Sequence, residues 1–276
     1  MERVTKGQNS PITAQKGGGS ILGDRGHLKS PVLKSQFWDR NAHLYERLTK
    51  MRFRDALVPM GVQLTNVFPG EKVVDLGAGT GAFAVHACHR KGEVTLIDIS
   101  ARMLDFARSR LSGAGHQSKF KCVVGDFYDI LKTIPDHSVD VVHAAASLMY
   151  LETDDELLQV LQETHRILRP DKGRLVVLNW IDLRGRSGVF SAVKNLVGSI
   201  LFWGGVFLKN RGGLGEVFRT LSEYQSAHAR GKGEVKPRYF QQEQFAKVLI
   251  EAGFSKEKIN QKIFAGRKAL ATWVSV

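Results

Sequence analysis

The sequence is poor in cysteine and has no apolar run long enough to span a membrane. Its 276 residues include two cysteines, Cys88 and Cys122, which excludes a disulfide framework and a four-thiolate zinc site. The uncharged run from Asn195 to Leu208 has 14 residues and three glycines, too few for a bilayer. The first 35 residues contain no apolar stretch of the signal-peptide type. We therefore expect a protein of the reducing cytoplasm.

Acidic residues are scarce at both ends of the chain. The formal net charge is +13, from 40 Lys and Arg against 27 Asp and Glu. Residues 1–60 carry 11 basic and 5 acidic side chains, residues 61–182 carry 13 and 16, and residues 183–276 carry 16 and 6. Basic flanks around a nearly neutral middle suit an anionic substrate, a membrane surface or a nucleic acid, and a merely solvated basic surface fits equally well.

The chain changes its pattern near residue 60. Residues 1–35 are rich in Gly, Ser, Thr and Lys and predict a flexible basic arm. Apolar residues at helical spacing predict a helix from Phe37 to Met60. Short apolar runs then alternate with helical stretches to about residue 182, which predicts a doubly wound, mostly parallel α/β sheet. The expected strands are Lys72–Leu76, Val94–Ile99, Phe120–Val124, Val139–His143, Arg174–Trp180, Lys258–Phe264 and Ala269–Val276, the last two forming an antiparallel hairpin.

The strongest local signal is the glycine turn Gly77-Ala78-Gly79-Thr80-Gly81, between an apolar strand and a helix. Such a turn lets a ligand approach the backbone, and it fits a dinucleotide fingerprint as well as other cofactors. Asp75 stands two residues before the first glycine, where a carboxylate would crowd a pyrophosphate. Two negative charges about 5 Å apart repel by roughly 3 kcal/mol at an effective dielectric constant of about 20. A ligand with an ammonium group would instead be attracted.

Further motifs follow this turn along the chain. They are Leu96-Ile97-Asp98-Ile99-Ser100 with Met103 behind it, Gly125-Asp126-Phe127, the run from Val139 to Ala145, and the run from Arg166 to Leu175. Together with Asp75 to Gly81 they resemble the ordered motifs of class I S-adenosylmethionine-dependent methyltransferases. More loosely, the early helix with Tyr45 and the tail from Phe240 to Phe254 are similar to methyltransferases of ubiquinone and menaquinone biosynthesis.

The resemblance implies a Rossmann-like fold with a seven-stranded sheet and S-adenosyl-L-methionine as the cofactor. It implies Asp98 on the ribose hydroxyls, Asp126 on the adenine amino group and Phe127 on the adenine face. The implied cofactor-binding residues are Asp75, Gly77, Ala78, Gly79, Thr80, Gly81, Asp98, Ile99, Met103, Gly125, Asp126, Phe127 and Ala144. Purely structural roles remain alternatives. Asp98 and Asp126 could be partners of helix starts, and Phe127 and Met103 could be core residues.

Methyl transfer from a sulfonium requires that donor and acceptor are aligned and that water is excluded. A general base is needed only where the acceptor group is protonated. Candidates for that role are Tyr150, His143 and Tyr45, although His143 in an apolar strand is also typical of a buried structural histidine. His86 and His89 flank Cys88 without further ligands, so we predict no metal site there.

We divide the chain into the arm at residues 1–35 and a methyltransferase domain at residues 36–276, with residues 183–236 as an inserted helical lid. The apolar residues of this insert beside a basic surface suit a small lipophilic acceptor, aromatic or isoprenoid, and contact with a membrane surface. The sequence leaves the oligomeric state open.

The main alternative is an RNA methyltransferase that uses the basic flanks to bind phosphates. Nucleic acid is disfavoured because all seven prolines are isolated, so the chain has neither an Asn/Asp-Pro-Pro-Tyr/Phe motif nor a Pro-Cys pair. A non-catalytic scaffold and a nicotinamide-dependent oxidoreductase are further alternatives, weakened by the set of Asp75, Asp98 and Asp126.

Overall fold

A computed structural model describes residues 31–50, 57–116, 119–180, 214–230, 235, 237–264 and 269–276. Its centre is a seven-stranded sheet with the strand order β3-β2-β1-β4-β5-β7-β6. The strands are β1 (Lys72–Leu76), β2 (Glu93–Asp98), β3 (Phe120–Val124), β4 (Val141–Ala145), β5 (Arg174–Trp180), β6 (Ile259–Phe264) and β7 (Ala269–Ser275). The first five strands pair in parallel, and β7 pairs antiparallel with both β5 and β6.

The helices that the structure describes are connected to this sheet in the order of a doubly wound fold. They are α1 (Pro31–Lys50), α2 (Leu57–Thr65), α3 (Ala82–His89), α4 (Ala101–Gly113), α5 (Phe127–Leu131), α6 (Asp154–Ile167), α7 (Leu214–Arg230) and α8 (Gln242–Glu251). Within the described ranges, no helix combines the length and the apolar character needed to cross a membrane.

Both faces of the sheet are covered, because side chains alternate along each strand. Val74 and Leu76 of β1 pack into a core that also holds residues of α5, α6 and α8. Val73 of β1 and Leu96 of β2 face the opposite way, into a core with residues of α3 and α4. The odd-numbered residues of β1 therefore lie on the face that carries α3 and α4.

The predicted fold class is confirmed, including the antiparallel hairpin at the end of the chain. The predicted strands differ from the observed ones by two residues at most, and the largest shift is in β4. Val139, where that strand was expected to begin, makes only an isolated bridge to Leu168.

The expected single helix from Phe37 to Met60 is two helices, α1 and α2, with residues 51–56 outside the described part of the chain. Helix α1 begins at Pro31, inside the segment expected to be a flexible arm, and proline is favoured at a first helical position. The rest of the arm lies outside the described residues. So does the inserted segment up to residue 213, including the apolar run that suggested a lid.

A buried carboxylate joins the amino-terminal ends of β1 and β5. Asp140 is 2% exposed, accepts a hydrogen bond from Lys72 N at 2.9 Å, and forms ion pairs with Lys172 at 3.0 Å and Arg169 at 3.3 Å. Burial alone would raise the pKa of Asp140, but the backbone donor and the two cations together lower it. Asp140 thus stabilises the fold in its ionised form.

We expect Asp140→Asn to lower the free energy of unfolding by about 1–3 kcal/mol at pH 7. Because the pKa of Asp140 is lower in the folded state, its contribution is complete above the unfolded pKa and disappears as the pH falls through the folded one. The difference between wild type and variant should therefore shrink towards pH 3, as measured by urea unfolding. Asp171→Asn, at an exposed position in the turn that contains Lys172, is the control. A pH-independent difference would contradict this account.

Candidate functional site

Three left-handed glycines shape the loop that follows β1. Gly77, Gly79 and Gly81 have φ values of +67°, +53° and +75°, a region that side chains rarely tolerate. Gly77 N and Ala78 N both donate to the carbonyl of Ile97, at 2.8 and 3.1 Å. The loop is thereby fixed against the end of β2.

At two of these glycines a side chain would collide with a neighbouring segment. A Cβ built on Gly77 would lie 2.3 Å from the Cβ of Ser147, in the loop after β4. A Cβ on Gly79 would lie 3.2 Å from Cε1 of Tyr45 on α1. The glycine loop is therefore closely flanked by two other segments, and a ligand between them would meet bare backbone.

Asp98 fixes the loop from the end of β2. Its Oδ2 accepts from Gly79 N at 2.8 Å and its Oδ1 accepts from Ser100 N at 2.9 Å. The start of α4 is capped by the hydroxyl of Ser100, which accepts from Met103 N at 3.1 Å. Asp98 does not cap the first turn itself, but it bonds the N–H of the N-cap residue, so its interpretation as a partner of the helix start stays open. Burial raises the pKa of Asp98 to about 6, with smaller contributions from Asp75 and Asp39, despite the two backbone donors that lower it.

A cavity that is open to solvent lies at this edge of the sheet. It is lined by nine of the sixteen site residues expected from the sequence, which are Tyr45, Gly77, Gly79, Asp98, Ile99, Met103, Asp126, Phe127 and Tyr150. Met103 is 2% exposed, so it belongs both to the core and to the wall of this cavity. We call this space the first cavity.

Asp126 has a structural role and also faces the first cavity. Its side chain accepts from Tyr128 N at 3.0 Å and caps α5, as the alternative interpretation expected. Burial raises the pKa of Asp126 above its ordinary value, outweighing that backbone donor. One hydrogen bond from the backbone leaves a carboxylate with capacity for further donors.

Helix α1 forms the roof of the first cavity. Trp38 and Tyr45 stand seven residues apart, hence on one helix face, and both line the cavity. The ring of Trp38 meets that of Tyr150 edge-on, with centroids 5.0 Å apart. Asp39 Oδ1 accepts from Ser100 Oγ at 2.6 Å, so α1 is attached to the start of α4 beside Asp98.

A second cavity adjoins the first, and Tyr45, Gly77 and Ala146 line both. It contains four more of the expected residues, which are Asp75, Ala78, Thr80 and His143. Asp75 is 2% exposed, and its Oδ1 lies 2.8 Å from Nδ1 of His143. The remaining three residues line neither cavity: Gly81 precedes α3, Gly125 precedes α5, and Ala144 packs in the core on the opposite face of the sheet.

Sequence reasoning missed five residues of the first cavity, namely Lys34, Trp38, Ala146, Ser147 and Leu151. Trp38 could have been found, because it shares the helix face of Tyr45. The position of Lys34, which pairs with Glu152 at 3.2 Å, depends on how α1 packs and has no local sequence signal.

Comparisons with known proteins agree with this geometry. A family model described as "Methyltransferase domain" matches residues 73–171. The ubiquinone/menaquinone biosynthesis C-methyltransferase of Shewanella oneidensis is 31% identical over 122 residues, which are 43% of this chain and 46% of that protein. The chain thus matches about half the length of these curated relatives.

Solved structures show the same fold at low sequence identity. A protein of Methanococcus maripaludis, described as an S-adenosyl-L-methionine-dependent methyltransferase, aligns with a TM-score of 0.57 and 19% identity over 92% of this chain and 97% of its own. Mitomycin 7-O-methyltransferase aligns with a TM-score of 0.52 and 18% identity over 87% of this chain and 60% of its own.

Residues 73–171 thus match a methyltransferase domain, and the described residues have the fold of S-adenosylmethionine-dependent methyltransferases. The resemblance expected from the ordered motifs is thereby confirmed, and the matching family and fold imply S-adenosylmethionine as the cofactor. The role of each site residue stays a prediction.

We expect Gly77→Ala in this methyltransferase domain to lower the free energy of unfolding by about 2–4 kcal/mol and to abolish binding of S-adenosylhomocysteine. The substitution places a Cβ in a left-handed conformation and 2.3 Å from Ser147 Cβ. Thermal unfolding and titration calorimetry measure the two effects. Gly113→Ala is the control, since a Cβ there meets nothing within 4 Å. Unchanged binding by Gly77→Ala would show that the loop is not a ligand cradle.

We also expect the affinity for S-adenosylhomocysteine to fall as the pH drops below about 6. Only the ionised Asp98 can accept hydrogen bonds with all its lone pairs, and its pKa of about 6 places its protonation there. The loss should approach about tenfold per pH unit, since one unit of pKa corresponds to about 1.4 kcal/mol. Calorimetry between pH 5 and 8 measures it. Asp98→Asn should bind weakly with little pH dependence; an equally steep dependence in that variant would assign the titration to another group.

Proposed function

We propose that this protein transfers a methyl group from S-adenosylmethionine to a small lipophilic acceptor. The observation that carries the proposal is the set of three carboxylates, Asp75, Asp98 and Asp126, placed around two adjoining cavities at the glycine loop. Each carboxylate matches one group of the cofactor that can donate hydrogen bonds: the ammonium, the ribose hydroxyls and the adenine amino group.

The nucleoside half of the cofactor fits the first cavity. Asp98 would accept from the ribose hydroxyls, and Asp126 from the adenine amino group. Ile99, Met103 and Phe127 supply apolar walls for the adenine. Gly77 and Gly79 also line this cavity, and neither presents a side chain to a ligand there. An adenosine thus finds both polar and apolar partners here.

The amino-acid half of the cofactor fits the second cavity. Oδ2 of Asp75 is buried and has no hydrogen-bond partner among the described residues. An unpaired carboxylate oxygen in a buried site is costly unless a donor arrives, and an ammonium group supplies one. Ala78 and Thr80 line the same space. Because the two cavities meet at Gly77, a single extended ligand can occupy both.

The cofactor supplies a methyl group on a positively charged sulfur, which leaves readily during an in-line displacement. The work left to the protein is to align the acceptor and exclude water. Tyr45 lies at the junction of the two cavities and Tyr150 in the wall of the first, beside Trp38. We propose these two tyrosines as the residues that contact the acceptor. Either could orient a hydroxyl or enol for attack.

A lipophilic acceptor is supported by the sequence and by the relatives. Residues 183–236 contain the uncharged apolar run from Asn195 to Leu208 within the basic last third of the chain. We propose this segment as a lid of the methyltransferase domain, and contact with a membrane surface as its route to the acceptor. Its described part, α7, contacts the roof of the first cavity: Arg47 of α1 donates to Glu223 at 2.9 Å and to Thr220 at 2.6 Å. The curated relatives are named for quinone biosynthesis.

The test is to incubate the protein with radiolabelled S-adenosylmethionine and, in parallel, a lipid extract, a polar metabolite extract and total RNA. We expect label in the lipid fraction, and a reduction of at least about a hundredfold in Asp98→Ala, which loses the ribose acceptor and the bond to Gly79 N. Asp105→Ala, at an exposed position on α4, is the matched control.

Each arm of that incubation decides one part of the proposal. Label in RNA would replace the lipophilic acceptor by the nucleic acid alternative, which the basic flanks also suit. Label in the polar fraction would remove the lipophilic character of the acceptor alone. A wild-type protein that binds neither S-adenosylmethionine nor S-adenosylhomocysteine would overturn the function as a whole.

A further inference from the structure

Asp75 and His143 are direct neighbours across the centre of the sheet. They are register partners on the parallel strands β1 and β4, and both are odd-numbered, so their side chains share the face that carries α3. Nδ1 of His143 lies 2.8 Å from Oδ1 of Asp75, and both residues are almost fully buried. Two ionisable groups have thus been placed in a layer otherwise filled by apolar residues.

The ring of His143 is held in one orientation. The ring of Phe83, on α3, stacks on it with centroids 3.7 Å apart and an angle of 16° between the planes. On α2, a Cβ built on Gly61 would lie 2.7 Å from His143 Nε2, so the absence of a side chain there makes room for the ring. The imidazole is therefore packed between two helices while its Nδ1 faces Asp75.

This arrangement fixes how each atom of the pair can be used. A carboxylate only accepts hydrogen bonds, so Nδ1 of His143 carries the proton between the two side chains. Oδ1 of Asp75 is then engaged, while Oδ2 has no partner among the described residues. Both residues line the second cavity. The histidine thus decides which oxygen of Asp75 is left for a ligand.

We propose that His143 is a positioning residue: its Nδ1–H locks the Asp75 carboxylate so that Oδ2 receives the ammonium group of the ligand's amino-acid tail. The inference rests on the proposed function, because it names a residue that acts through the ammonium site of that cofactor. His143 then acts on binding and discrimination of the tail, whereas the nucleoside half of the ligand is recognised independently of it.

Two ligands separate this role from a general effect on packing. S-adenosylhomocysteine carries the amino-acid tail, and 5′-methylthioadenosine has the same nucleoside without it. We expect His143→Leu, which removes the donor at similar volume, to weaken S-adenosylhomocysteine by about tenfold or more, the scale of one hydrogen bond to a charged group. The affinity for 5′-methylthioadenosine should stay within about twofold of wild type, both measured by calorimetry.

The conservative variant is His143→Asn, whose side-chain amide nitrogen can take the place of Nδ1 as donor. It should restore most of the affinity for S-adenosylhomocysteine. A second route to the same effect is Gly61→Ala, which displaces the ring at Nε2 and leaves Nδ1 and the Asp75 carboxylate chemically unchanged. Gly61→Ala should weaken the binding of S-adenosylhomocysteine and leave that of 5′-methylthioadenosine unchanged. This variant provides the test if His143→Leu does not fold. In an Asp75→Asn background, His143→Leu should cause little further loss.

Other outcomes overturn the inference. Equal weakening of both ligands would make His143 a packing residue of the cavity. No weakening of either, or no rescue by asparagine, would show that Asp75 is oriented without it. Unchanged binding with lost turnover would instead assign His143 the role of general base. A wild-type protein that binds neither ligand would overturn the proposed function itself, which is a different result from each of these.

Discussion

The site depends on one set of backbone hydrogen bonds, those that hold the glycine loop against the end of β2. Gly77 N and Ala78 N donate to the Ile97 carbonyl, and Gly79 N donates to the Asp98 carboxylate. A loop with several left-handed residues loses more conformational entropy on folding than an ordinary turn, so it needs such fixed partners. Asp98 is therefore part of the scaffold before any ligand binds. It also lines the first cavity, with its carboxylate held by two backbone donors.

The raised pKa of Asp98 reflects the energetic cost of burying a carboxylate that both holds the loop and lines the cavity. Burial disfavours its charge, and the two backbone donors compensate only in part. A carboxyl group whose pKa is raised in the folded state stabilises the fold most at low pH and loses that contribution as the pH rises through about 6. Above that pH the folded protein contains a buried carboxylate with too few hydrogen-bond donors. A ligand with hydroxyl groups supplies such donors, and these hydrogen bonds contribute to its affinity.

The sequence predicted the parts of the fold that follow from local apolar periodicity and from the order of strands and helices along the chain. Alternating apolar runs and helices are enough to predict a parallel sheet, and four loop residues are enough to predict the final hairpin. The glycine turn with Asp98 and Asp126 was likewise predictable, since both carboxylates end or follow strands and such ends meet at one edge. The family assignment followed from the order of those motifs.

The rest depended on packing between distant segments. Lys34 and Trp38 reach the first cavity only because α1 lies across it, and α1 and α2 were predicted as one helix because their apolar spacing is continuous. The role of His143 was also not predictable from the sequence. Its sequence context indicates only burial, whereas its pairing with Asp75 requires the register of β1 and β4 and the missing side chain of Gly61.

The charge balance of the two cavities disfavours a ligand that contains a diphosphate. Three carboxylates line them, and Lys34 is the only Lys or Arg lining either cavity within the described chain, where it already pairs with Glu152. A diphosphate would bring two negative charges next to Asp75 and Asp98, with one partly neutralised cation to oppose them. At about 5 Å each such contact costs roughly 3 kcal/mol. The N–H groups of Gly77, Ala78 and Gly79 already donate within the protein and do not compensate it. A ligand with the same adenosine but a cationic tail meets attraction at both positions. The buried pair of Asp75 and His143 also favours a cationic ligand. A histidine that donates a hydrogen bond to Asp75 leaves the negative charge on the carboxylate. A lysine or arginine fixed beside Asp75 would have neutralised that charge.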